Sequence, residues 1–152
     1  MKWKLVSASL AVAAGAGLAL TVHAQMKPEV MVKQRQAAMT LQAKYLGPLG
    51  AMAQGKMAFN ADLVARNAEY LNVLDKMAWD GFAESTKDVK SRALPVIWSE
   101  AGKFKEAQEH FQSAVSDLVA VSKTGDEGKM KAAIGAVGKS CGACHDHFRE
   151  KQ

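Results

Sequence analysis

Three observations predict an all-α chain folded as an antiparallel, up-down-up-down four-helix bundle. Four stretches repeat apolar residues with the 3.6-residue period of a helix. No stretch alternates apolar and polar residues as a half-buried strand does. The connections after the first and third helices are short, which favours antiparallel neighbours.

The bundle is expected over residues 25–152. Residues 1–24 read as a secretory signal peptide: Lys2 and Lys4, an apolar run from Leu5 to Leu20, then Val22-His23-Ala24 before a cut ahead of Gln25. The competing reading is a membrane anchor, but the run is short for a span and rich in Ala and Gly. With that segment removed, no membrane insertion is expected, and the remainder is long enough for one domain with its own core.

The first helix follows Pro28, which suits an opening turn. Its stripe is Met31, Arg35, Ala38, Met39, Gln42, Leu46, Leu49 and Met52, and Arg35 is a cation out of place on it. Gly47-Pro48 should kink or interrupt the helix, because Pro48 cannot donate to the carbonyl of Lys44. Asn60 caps the second helix, with Asp62 in its first turn and a stripe of Leu63, Asn67, Leu71, Leu74 and Met77-Ala78. Ser99 is expected to cap the third, with Ala101, Phe104, Gln108, Phe111, Val115, Leu118 and Val121 inward, and Gly125 stops it. Asp126 caps the fourth, which turns Met130, Ile134, Val137, Cys141, Cys144 and Phe148 to one side. Between the second and third helices lies a long polar connection bounded by Trp79 and Trp98, of a length more often functional than idle. The first two helices carry extra apolar residues, Val30, Leu41 and Val64, beyond one core stripe.

Charge excludes some partners. The 20 basic residues fall to 18 without Lys2 and Lys4, against 15 acidic ones, and they lie scattered among the acids. Neither a polyanion nor nucleic acid is expected as a partner. Enzymatic turnover is not indicated either: no Ser/His/Asp grouping, phosphate loop or pair of carboxylates stands at usable spacing.

The chemistry lies in the only two cysteines, Cys141 and Cys144, with His145 directly after them. On a helix, three residues on is about −60° and four residues on about +40°, so all three share one face. A haem takes two thioethers and an axial imidazole, and Cys-x-x-Cys-His on one helical turn offers all three. Random shuffling of this composition would give the string about once in 3,000 trials. Zinc needs four ligands, and beyond this trio only His110 and His147 remain. A thioredoxin-like dithiol belongs at a helix start after a strand, and a disulfide closing so short a loop gains little. His147 points away from the cysteine face, and His110 sits among polar residues. Arg35 either pairs with a haem propionate or snorkels to the surface.

Together these residues resemble the cytochrome c′ family, the exported bacterial four-helix c-type cytochromes, along essentially the whole mature chain. The match rests on "KPEVMVKQRQAAMTL", "MAWDGF", "LPVIWSEAGKFKEAQ" and "VGKSCGACHDHFREK". The resemblance implies one covalent haem c per chain, near the C-terminus, with thioethers at Cys141 and Cys144 and His145 as the axial iron ligand. It implies Arg35 at a propionate, Arg149 on the proximal side, Met39 and Phe82 over the distal side, and Trp79 at the haem edge, while Phe148 lies between the cysteines in helical angle. It also implies a periplasmic location, a homodimer crossing through the first two helices, periplasmic redox partners, and an open iron that binds NO and CO.

Met39 leaves two functions open. With five iron ligands, an apolar distal pocket of Met39 and Phe82 favours NO and CO alongside single-electron exchange. With Met39 as sixth ligand, the chain is a dedicated electron carrier like the low-spin c-556 cytochromes, which it also resembles.

Overall fold

Pro28, with its fixed φ and missing N–H, opens α1, which runs Pro28–Ala53 in the computed structural model. The structure describes residues 26–151, so the expected signal peptide, residues 1–24, lies outside the described residues. Four further helices follow among them: α2 Ala61–Leu74, α3 Val96–Ser99, α4 Ala101–Ser122 and α5 Glu127–Phe148. The long helices α1, α2, α4 and α5 form the antiparallel bundle, with α1 against α2 and α5, and α4 against α2 and α5.

Local capping sets two of the helix starts. Asn60 Oδ1 accepts from the Leu63 amide at 2.8 Å, and Asp126 Oδ1 accepts from the Lys129 amide at 3.0 Å. Each such cap is worth about 1 kcal/mol. Between α4 and α5, Gly125 has φ +75°, a left-handed conformation that suits glycine.

Several expectations are corrected. Of the two outcomes expected at Gly47-Pro48, the interruption does not occur: helix α1 continues through both residues. Helix α2 ends at Leu74, so Met77 is exposed while Ala78 is buried outside the helix. Ser99 is not a cap: it is the last residue of the one-turn α3, where its backbone is already helical. Glu100 breaks the path with φ −117° and ψ 45° and precedes α4 without a side-chain cap. Val64 is fully buried rather than outward-facing, whereas Val30 and Leu41 are exposed. Val32 is buried as well, a position the stripe on α1 did not include.

The apolar core fills one end of the bundle. Leu49 and Met52 from the end of α1 pack with Val64, Ala68 and Leu71, with Phe111, Val115 and Leu118, and with Met130, Ile134 and Val137. Burying each of the larger side chains contributes about 1.5–3 kcal/mol. The other end, where α1 begins and α5 finishes, is built around the long connection.

That connection is tied down at both ends. It starts with the 3₁₀ turns Trp79–Phe82 and Glu84–Thr86. Gly81 packs so closely on α1 that a Cβ there would lie 2.5 Å from the Arg35 Cβ and 2.8 Å from the Met31 carbonyl. Only glycine fits that approach. Trp98 donates its indole N–H to the Phe82 carbonyl at 3.0 Å, closing the segment on itself. Farther on, the Leu94 amide donates to the Phe148 carbonyl at 3.0 Å and the Glu150 amide to the Arg92 carbonyl at 2.9 Å. The connection is thereby fastened beside the turn that carries the cysteines.

Candidate haem site

A cavity of about 570 Å³ opens at this end of the bundle, and every residue expected to hold or surround the haem lines it: Arg35, Met39, Trp79, Phe82, Cys141, Cys144, His145, Phe148 and Arg149. Its volume lies in the range of pockets that enclose a cofactor-sized ligand. Helix α5 delivers both thiols and the imidazole from one side, and α1 delivers Arg35 and Met39 from another.

The two cysteines are half-buried and not joined to each other. Burial pushes the Cys141 thiol up to about 11, with the neighbouring Cys144 adding to it, and burial raises Cys144 as well. Both therefore remain thiols at neutral pH, unlike the low-pKa thiolate of a redox dithiol. Burial lowers the pKa of His145, and the positive charges of Arg149 and Arg92 lower it further. The imidazole is accordingly neutral near pH 7, with a lone pair free to bind a metal. Among the described residues, no three His, Cys, Asp or Glu side chains gather as a metal-ion site. The donor set is two thiols and one imidazole on a single face, beside an apolar space.

Arg35 is not a snorkelling surface residue, being only 4% exposed. Its guanidinium donates to the Gly81 carbonyl, and to Ser91 Oγ at 2.8 Å. It also lies 4.4 Å from the centroid of the Phe82 ring, a cation–π arrangement. Two of its five N–H groups are thus committed to the connection. The polar side chains that α1 adds to the lining are largely committed too. Thr40 Oγ1 donates to the Gln36 carbonyl at 2.8 Å, and Gln42 Nε2 to the Leu74 carbonyl at 2.8 Å.

Aromatic rings form much of the wall. Phe82 meets Phe104 at 4.8 Å and Phe104 meets Phe148 at 5.2 Å between centroids, with Trp79 stacked on Phe82 at 6.2 Å. Phe104 and Phe111 are lining residues that the sequence identified only as part of a helical stripe. Ser91, Arg92 and Ala93 also line the cavity and went unrecognised, because the aperiodic connection carries no local signal for them. His110 is exposed, and exposed His147 points to Glu100, 3.0 Å away, leaving both outside the cavity.

Comparison with known proteins agrees with this geometry. A family model described as Cytochrome C' matches residues 30–149. The chain belongs to the cytochrome c′ family. Cytochrome c' of Rubrivivax gelatinosus is 42% identical over 126 residues, 82% of this chain and 98% of that protein. Its crystal structure superposes with a TM-score of 0.79 at 40% identity, covering 82% of this chain and 98% of the other. A nitric oxide complex of a mutant cytochrome c prime from Alcaligenes xylosoxidans matches with a TM-score of 0.76 at 40% identity, covering 82% and 98%. A carbon monoxide-bound variant of the same protein matches equally well, at 0.76 and 40% over the same shares. Cytochrome c-556 of Rhodopseudomonas palustris is 32% identical over 93% of this chain and 96% of its own.

Cytochromes c′ carry covalent haem c, and the residues present fit that cofactor. Two unpaired thiols one helical turn apart, a neutral imidazole and a largely aromatic and aliphatic cavity are what haem c requires of its host. Among the described residues, no helix is long and apolar enough to cross a membrane.

Proposed function

We propose that the chain is a periplasmic c-type cytochrome that leaves the distal iron position open to NO and CO and exchanges single electrons with periplasmic partners. Haem iron supplies the redox couple and the coordination position for a diatomic gas. Cys141 and Cys144 hold the cofactor through thioethers, and His145 gives its neutral imidazole to the iron. Arg35 holds the connection in place and keeps unused N–H groups for a propionate, while Arg149 stands at the proximal side. Trp79, Phe82 and Phe148 would form an apolar wall that excludes water from the bound cofactor.

The observation that carries this reading is the convergence of both thiols, the imidazole, Met39 and Phe82 on one cavity where Met39 and Phe82 bring no hydrogen-bond donor and the Thr40 hydroxyl is already donated to the Gln36 carbonyl. A polarised ligand such as O2 wants a free donor; CO and NO need one less. The relative from Alcaligenes xylosoxidans, solved as variants with NO and with CO, supports the same choice.

A second reading is favoured by Met39 itself, a thioether on the cavity that also receives His145, and by the c-556 relative. Replacing Met39 with leucine separates the two. Under the open-site reading, the absorption spectrum of the haem-loaded protein stays high-spin after substitution. If Met39 is the sixth ligand, a low-spin spectrum converts to a high-spin one.

Dimerisation has a chemical basis in the apolar side chains that α1 and α2 leave outward. Val30 and Leu41 are each 40% exposed, and Tyr70, Val73 and Met77 are exposed in and just beyond α2. Native mass spectrometry of protein recovered from the periplasm is expected to show two chains, each beginning at Gln25 and carrying one haem. A monomer would remove the dimer, and a chain retaining Met1 would remove the export signal.

A further inference from the structure

Asp75 is a buried carboxyl that the haem site does not use. It directly follows α2, is 2% exposed, and its Oδ1 is buried without a hydrogen-bond partner. The last carbonyls of α2 add their partial negative charge at this end of the helix, which further disfavours a carboxylate. The side chains that bond to the backbone beside it are neutral. Gln42 from α1 donates to the adjacent Leu74 carbonyl at 2.8 Å. Gln112 from α4 donates to the Asp75 backbone carbonyl at 3.4 Å, and Trp79 donates its indole N–H to the same carbonyl. The one charge acting on the carboxyl is Lys76, the next residue, which favours ionisation; burial opposes it and dominates, so the pKa is raised.

Trp79 is therefore shared: its ring forms part of the haem cavity wall while its N–H anchors the backbone of Asp75. A carboxyl with no partner, in the same poorly screened interior as the redox centre, must respond to that centre's charge. We propose that Asp75 is a redox-linked proton site. When an external one-electron donor reduces the haem, the Asp75 carboxylate takes up one proton from solvent; on reoxidation the electron leaves to an acceptor and the proton returns to solvent. One electron and one proton enter together, so the buried charge is balanced. Loss of a unit positive charge from the interior is expected to raise the proton affinity of Asp75 on the order of tenfold. The inference rests on the cavity holding haem.

The same group sets a pH dependence of folding. Because its folded pKa lies above the unfolded one, the folded chain binds more protons at Asp75. Its contribution to stability is complete below the unfolded pKa and is lost as pH rises through the folded pKa.

The test uses the haem-loaded protein with carbon-13 aspartate, reduced stepwise in an infrared electrochemical cell across the acid-to-neutral range. A protonated-carboxyl band that grows on reduction, shifts with the label and is missing from both Asp75→Asn and Asp75→Ser is the expected result. The midpoint potential should fall with rising pH in the wild type over that window and lose this component in the variants. A band that persists in either variant, or its absence from wild-type protein with full haem absorbance, overturns the proposal. Absence of haem absorbance would instead overturn the reading of the cavity on which it rests. The label identifies the band as one of the chain's seven aspartates and the variants assign it to Asp75, so either variant that folds with full haem absorbance leaves the test decisive.

Discussion

Replacing Cys141 and Cys144 together with serine is expected to abolish haem retention on denaturing electrophoresis. The two thiols are the only ones in the chain, and both line the cavity from one turn of α5. Serine is close in size and cannot form a thioether, so the change removes the covalent link with little disturbance of packing. Cys141 packs against the apolar core without being one of its buried members, and Cys144 is not part of it. Helical content by circular dichroism should therefore persist while the peroxidase stain for bound haem disappears. Each single substitution should retain haem through its remaining thioether. Retention of stain by the double variant would contradict the assignment of both cysteines.

Arg35→Leu is expected to destabilise the haem-loaded protein by roughly 2–4 kcal/mol in urea unfolding. Hydrogen bonds to a charged group contribute about 1.5–3 kcal/mol each, offset in part because a cation no longer has to be desolvated. The Gly81 carbonyl loses the guanidinium and keeps only the Thr86 hydroxyl at 3.1 Å, Ser91 Oγ loses its donor, and Phe82 loses the guanidinium above its ring. Lysine should not rescue the loss, since one ammonium cannot reproduce a fork that reaches two acceptors on different parts of the connection. A change of less than about 0.5 kcal/mol, the range of ordinary surface substitutions, would mean that Arg35 does not hold the connection.

The features legible in the sequence were those whose causes are local. Asn60 and Asp126 cap the helices they precede because a side chain reaches an amide three residues on. Cys141, Cys144 and His145 declare a shared face because one helical turn contains them all. Arg35 was visible as a misfit on an apolar stripe, but its partners Gly81 and Ser91 stand 46 and 56 residues away. No local pattern announces such a contact. Ser99 failed as a cap for a related reason: serine before a helical stripe looks the same whether the preceding chain is extended or already wound into α3. Val64 shows how coarse periodicity is, since its neighbour Leu63 was assigned inward and Val64 is the more deeply buried. The isolation of Asp75 is set by α1, α4 and the turn at Trp79, and nothing in its own neighbourhood of sequence reveals it.

The open iron site is tested most directly by the absorption spectrum of the oxidised and reduced haem-loaded protein, recorded before and after addition of NO. Broad high-spin bands that change readily when NO meets the reduced protein are the predicted result. Sharp low-spin bands, a far-red methionine-to-iron charge-transfer band and no response to NO would contradict it, and would make Met39 the sixth ligand of an electron carrier.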